Sequence, residues 1–178
     1  MEKNWYAVYT KPQSEKKVAA LLNKKKIESY VPMVYVKSET LMGHKFIFEP
    51  LFKSIVFVYA SHIDTAVLKQ TNGVINLLHW LGKPAIIAKE EIAVINEFTS
   101  KGYKNIKLEP ASVKNEKIST RNDGAFFSIE GRLYTMKDKK VKINLPSLGY
   151  ALIAEIEEES IFNKGLTLEN DNRVTFSS

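Results

Sequence analysis

The side chains able to do chemistry are few and scattered. The three histidines, His44, His62 and His79, have no metal-ligand spacing, and no cysteine is present to complete a site. The lack of cysteine also excludes disulfides and thiol catalysis. No G-x-S-x-G, phosphate-loop or G-x-G-x-x-G pattern occurs. The run Glu157-Glu158-Glu159 reads as a solvated strand end rather than as paired catalytic carboxylates. Nothing nominates an acid, base or nucleophile for a shaped pocket. The expectation is a non-enzymatic protein without metal or cofactor.

Two groups of surface residues remain. Lys16, Lys17 and Lys24 fall on one side of a helix whose opposite stripe is Val18, Leu21 and Leu22. Lys16 and Lys17 stand in the first helical turn, where the macrodipole disfavours a cation by about 0.3–1 kcal/mol each. Residues that weaken their own helix suit a phosphate backbone. The second group is aromatic: Tyr9, Phe48, Phe52, Phe57, Tyr59 and Trp80 are dense for this length. The bland reading places them in the core. Strand periodicity puts only one face of each strand under covering helices, so the other face is left for water, a second domain or a partner.

The totals set the frame. The chain has 178 residues, room for one ordinary domain or two small ones, with 44% hydrophobic residues and a formal net charge of +6. That mild basic bias permits a nucleic-acid partner without demanding one. Its only arginines are Arg121, Arg132 and Arg173. Arginine's planar fork reads guanine edges and lysine's point charge does not. A major-groove reader in the N-terminal half is therefore not expected, while lysine contacts to phosphate stay open. No apolar run approaches membrane-spanning length. The opening residues lack the pattern of a signal peptide, so a cytoplasmic location is expected.

The elements that must position these residues follow from the pattern. Residues 5–10 alternate as a strand, with Trp5, Ala7 and Tyr9 on one face. A helix is predicted over 14–25, and an extended segment broken by Pro32 over 27–37. Phe46-Ile47-Phe48 extends again beyond a turn at Met42-Gly43-His44. Ile55-Val56-Phe57-Val58-Tyr59 is apolar on both faces and reads as a central strand. Asp64 is placed to cap a short helix reaching Gln70. A strand over 74–81 and a helix over 90–98, with Ile92, Ile95 and Phe98 inward, complete this half. An α+β domain is predicted, with helices mainly on one face of the sheet. Residues 101–115 read as a linker and 116–160 as a small β-barrel, with strands at 117–120, 131–137, 140–145 and 150–156. Alternation at 141–145 argues for a strand there and against a helical resting form. Residues 161–178 read as a loose tail.

These motifs, taken in order, resemble one family. The run Trp5-Tyr6-Ala7-Val8-Tyr9-Thr10-Lys11-Pro12, then Glu15-Lys16-Lys17-Val18, then Tyr30-Val31-Pro32, is similar to the N-terminal domain of NusG-type transcription factors. So are Glu49-Pro50-Leu51-Phe52 before Val56-Phe57-Val58, Thr71-Asn72-Gly73-Val74, Gly82-Lys83-Pro84-Ala85 and Glu90-Glu91-Ile92. Gly124-Ala125-Phe126 and Gly131 resemble a KOW domain of SH3-like barrel type. The likeness spans about residues 4–156. It leans toward the specialised RfaH-like and capsule-operon antiterminators.

The resemblance implies a fold and a mechanism. An antiparallel sheet with flanking helices (residues 1–100) would dock on the clamp helices of the RNA polymerase β′ subunit through Tyr9, Phe52, Ile55 and Phe57. Asp64, Thr65 and Ala66 would face the β subunit. Lys11, Lys16, Lys17, Lys24, Thr71 and Asn72 would lie toward upstream or non-template DNA. The KOW barrel would meet a small-subunit ribosomal protein, Rho or RNA. The protein would act as a monomer, suppressing pausing or termination on selected long operons such as those for surface polysaccharides. A general elongation factor, or an RNA- or ribosome-associated KOW module, are the alternatives. Where the family usually has Pro-Gly-Tyr after Phe52, this chain has Lys53-Ser54-Ile55, and Asn72 replaces a residue that is often basic.

Overall fold

A computed structural model describes residues 2–40, 43–61, 64–100, 103–111, 125–129, 132–137, 140–155, 166–169 and 173–176. The chain divides into two compact units, Met1–Thr99 and Ser100–Ser178.

The first unit is built on strands β1 (Asn4–Thr10), β2 (Glu28–Tyr30), β5 (Ile55–Ala60) and β6 (Val74–Leu77), hydrogen-bonded in the order β2-β5-β1-β6. A short strand β9 (Ile86–Ile87) also pairs with β1. All these pairings are antiparallel. The apolar run 55–59 lies centrally, as its two-sided hydrophobicity requires. Side chains alternate, so Val56, Val58 and Ala60 point to one face and Phe57 and Tyr59 to the other.

The first face packs with Val8 against Val18 and Leu22 of helix α1 (Glu15–Lys24) and Leu68 of the short helix α2 (Thr65–Lys69). The second face carries the third helix, so the three helices divide two to one between the faces. Helix α3 (Lys89–Ser100) buries Ile92, Val94, Ile95 and Phe98. Near its C-terminal end Thr99 is hydrogen-bonded to the Tyr30 hydroxyl at 3.0 Å, and at its start the Lys89 ammonium lies 5.8 Å from the centre of the Tyr59 ring. Two apolar faces on the central strand need two covering layers, so periodicity of that strand already implied the second one.

Strands β3 (Met33–Thr40) and β4 (Gly43–Pro50) pair only with each other, in a hairpin outside the main sheet. The strand predicted over 74–81 is broken. Strand β6 ends at Leu77, the Leu78 N–H donates to the Ala7 carbonyl, and β7 (His79–Trp80) pairs with β8 (Lys83–Pro84) instead. Leu81 and Gly82, at φ 50° and 78°, form the two-residue turn between them, the left-handed pair that a tight hairpin demands. Among the described residues no helix is long and apolar enough to cross a membrane.

The second unit departs further from expectation. Its strands are β10 (Lys104–Pro110), β11 (Ala125–Ile129), β12 (Arg132–Lys137), β13 (Lys140–Leu145), β14 (Tyr150–Glu155), β15 (Leu166–Glu169) and β16 (Arg173–Phe176). They form one sheet in the order β10-β14-β13-β12-β11-β16-β15, and among the described residues no closed barrel is found. Strand β10 comes from residues predicted as linker and takes the edge of β14. Strands β15 and β16 come from residues predicted as tail, and β16 takes the edge of β11 in parallel. With both edges occupied, β11 and β14 are not left to close on each other. The strand predicted at 117–120 lies outside the described residues. Val141, Ile143 and Leu145 are buried in strict alternation along β13, the pattern read from the sequence.

Candidate functional site

Some of the features that the sequence singled out, Tyr9, Lys11, Lys16, Phe52 and Ile55, lie around one end of the first unit, while Asp64, Thr65 and Ala66 follow the opposite end of β5. Residues 51–54 form the turn into β5. Ser54 adopts φ 59°, a left-handed conformation that suits glycine. Its strain is offset by two backbone bonds. Its N–H donates to the Glu15 carboxylate at 2.7 Å, and its carbonyl accepts the Thr10 N–H at 2.9 Å. Glu15 is buried, so this charge-assisted bond acts in a low-dielectric setting. The result ties the end of β1, the start of α1 and the turn before β5 into one rigid corner.

That corner sets the aromatic face. Phe52 and Phe57 are both buried, their rings edge to face with centroids 5.2 Å apart. They are not presented to a partner, contrary to the surface role carried over for them. Of the other two residues of that expected surface, Tyr9 is 40% exposed, and Ile55, its direct cross-strand partner, is half-buried. Tyr30 packs on Phe57 at 6.4 Å between centroids. Burial pushes its phenol pKa up, and the bond with Thr99 partly offsets this. Trp5 lies on the same face as Tyr9 but rests on Tyr59 at 5.3 Å. A register shift between Tyr9 and Thr10 against β6 marks where the strand ends its regular course.

The residues expected to face DNA divide in two. Lys11, Lys16, Lys17, Lys24 and Asn72 are exposed. The Lys11 N–H donates to the Gly73 carbonyl at 2.9 Å, which brings the loop after β1 beside Asn72. Lys24 is eight residues from Lys16, about 12 Å along the helix axis, so the helix lysines form a line rather than a cluster. Thr71 does not belong with them. It is buried, its hydroxyl donates to the Val67 carbonyl at 2.7 Å and it accepts the Lys25 ammonium at 2.9 Å. A short threonine just after a helix satisfies that helix's own last carbonyls before it can reach a partner. Lys25, which the sequence reading passed over, stands in its place at the surface.

Asp64 is half-buried, Thr65 half-buried and Ala66 exposed. Asp64 does not cap α2 with its side chain. Its carboxylate instead accepts the Ser61 N–H at 2.8 Å and the Ser61 hydroxyl at 2.7 Å. These two bonds hold its pKa below the usual carboxylate range. Among the described residues no group of three or more His, Asp or Glu side chains is placed to hold a metal ion.

Sequence reasoning missed Glu15 and Tyr35. A glutamate in the first helical turn is ordinary, so its burial left no local signal. Tyr35 was legible as one member of the alternation Met33, Tyr35, Lys37.

Residues 3–96, just over half the chain, match the family model described as transcription termination factor nusG. No curated protein matches the chain in sequence. Among solved structures it is similar to one titled "Domain interaction in Thermotoga maritima NusG", at 19% identity and a TM-score of 0.48, over 88% of this chain and 99% of that one. It is also similar to one titled "Crystal Structure of MjSpt4:Spt5 complex conformation A", at 18% identity and a TM-score of 0.30, over 85% of this chain and 99% of that one. On the strength of the family match over residues 3–96, the chain belongs to the NusG family of non-enzymatic transcription factors.

Proposed function

We propose that the protein is an elongation factor that docks its first unit on the β′ clamp helices of RNA polymerase and suppresses pausing or termination on selected long operons. The observation that carries this reading is the corner itself. Tyr9, exposed, and Ile55, half-buried, pair across an apolar edge beside the buried Phe52–Phe57 pair, and the Glu15–Ser54 bond fixes the residue next to Ile55. Rigid anchors lose little entropy on binding, which is where aromatic hot spots gain their weight. Lys11, Lys16 and Lys17 sit at the same end, exposed, and suit the phosphates of nearby upstream or non-template DNA. Anchoring on the polymerase raises the local DNA concentration, so a few lysine contacts suffice.

The test is capture of polymerase by the full-length protein. Tyr9→Ala should weaken binding to β′ by about 1–3 kcal/mol while leaving the melting temperature unchanged. Unaltered capture by a folded Tyr9→Ala protein would put the docking surface elsewhere. Operon selectivity has its own measurement, transcript profiling of a deletion strain. A change across the whole transcriptome would replace the specialised role with a general one.

A further inference from the structure

The β3–β4 hairpin displays a run of aromatic rings that the fold does not use. Tyr35, Phe46 and Phe48 are 70%, 68% and 48% exposed. In the hairpin register Tyr35 stands opposite Phe48 and Lys37 opposite Phe46. Residues two apart on a strand share a face, so these four side chains lie together on one side. Tyr35 and Phe48 are in contact, with ring centroids 4.7 Å apart and planes tilted by 36°. From α1, the Lys16 ammonium reaches over Phe48, 5.4 Å from the ring centre. The face is therefore aromatic with cations at two borders, Lys16 and Lys37, both exposed. Of the nearby acids, Glu49 pairs with Lys53 at 3.5 Å and alternates to the other face, Glu15 is buried under Ser54, and Glu39, two residues beyond Lys37, holds a register position at the far end of this face.

The pattern selects its occupant. The core of a protein–protein interface is depleted of lysine, whereas here an ammonium sits on the aromatic centre. Unpaired bases stack on exposed rings while lysines meet the adjoining phosphates. A duplex hides its base faces in its own stack, so the ligand must be single-stranded. Residues 1–120 contain no arginine, so little guanine-edge readout is available and binding should tolerate sequence. Lys16 joins this face directly to the lysines at the start of α1.

We propose that the Tyr35–Phe46–Phe48 face is a base-stacking platform for single-stranded DNA, with Lys16 and Lys37 holding its phosphates. The choice of DNA over RNA rests on the proposed placing of Lys11, Lys16 and Lys17 toward non-template DNA; the stacking chemistry does not.

The experiment is fluorescence anisotropy of the full-length protein with an oligothymidylate of about 12 nucleotides, an oligouridylate of equal length and a duplex, at roughly 50 and 200 mM salt. The single-stranded DNA should bind best. Phe46→Ala, which leaves the Tyr35–Phe48 ring pair untouched, and Tyr35→Ala/Phe48→Ala should each weaken it about tenfold or more, with unchanged melting temperature. Phe48→Trp should keep or improve binding. Unchanged DNA binding in both aromatic variants overturns the platform, and tighter binding of the RNA overturns the choice of DNA. Hairpin variants that lose polymerase capture but keep DNA binding would give the face to a protein instead. Tyr9→Ala, which tests docking, should leave oligothymidylate binding intact, so the two proposals fail separately.

Discussion

The five-stranded sheet and the β3–β4 hairpin are written in similar residues and end in opposite environments. Phe57 is fully buried, edge to face with Phe52 and packed against Tyr30, whereas Tyr35 and Phe46 stand mostly in solvent. Both carry apolar residues on each face of a strand, and what separates them is the number of layers around each. The sheet is covered by α1 and α2 on one face and α3 on the other. The hairpin has left the sheet and pairs only with itself. An apolar run thus specifies a strand but not how many of its faces will be covered. The face that stays uncovered is where a partner is to be sought.

That contrast can be broken from the sheet side first. Phe57→Ala should lose about 3–5 kcal/mol, a buried aromatic leaving a cavity between two layers, read by thermal or denaturant unfolding. A loss below 1 kcal/mol would mean that α3 does not close that face. Gly73→Ala comes next, at about 1–3 kcal/mol. Gly73 has φ +94°, and a Cβ there would meet the Val18 Cγ2 at 2.7 Å, pressing on the helix that covers the first face.

The hairpin should respond far less. Tyr35→Ala removes a cross-strand ring contact from a solvated surface and should cost only about 0.2–1 kcal/mol. A loss as large as that of Phe57→Ala would show the hairpin rings to be structural. The smallest effect is acidic. The Asp64 pKa is held below its ordinary value of 3.8 by Ser61. A depressed folded pKa contributes stability that is full above the unfolded value and is lost as pH falls below 3.8 through the lower folded pKa. Asp64→Asn should flatten that part of an acid-unfolding curve slightly, since the group is partly solvated and screened.

Much of the first unit was legible because its signals are local. Val18 and Leu22 define a helix face, and Ile92, Ile95 and Phe98 another. In β13, Val141, Ile143 and Leu145 repeat every second residue, enough to identify the strand without its neighbours. Strand β10 was not legible. Ile106 and Leu108 are only two half-buried residues among lysines, with a register shift at Lys104–Lys107 and Asn105 at φ 51°. Such a segment becomes a strand because β14 offers it an edge. Strands β15 and β16 escaped detection for the same reason.

What the sequence by itself determined is the two long helices and the strands β1 and β5 of the first unit, the absence of thiol chemistry and the family to which the ordered motifs point. Each depends on residue type and on spacing within a few positions. Which aromatic rings reach the surface was decided only by the tertiary structure. Phe52 and Tyr9 look equivalent in the sequence, as do Phe57 and Phe48. Burial depends on elements that are distant in the chain. Phe57 is packed on by Tyr30 of β2, which is itself hydrogen-bonded to Thr99 of α3. Glu15 shows the same dependence, an ordinary first-turn glutamate until Ser54, 39 residues later, folds over its carboxylate.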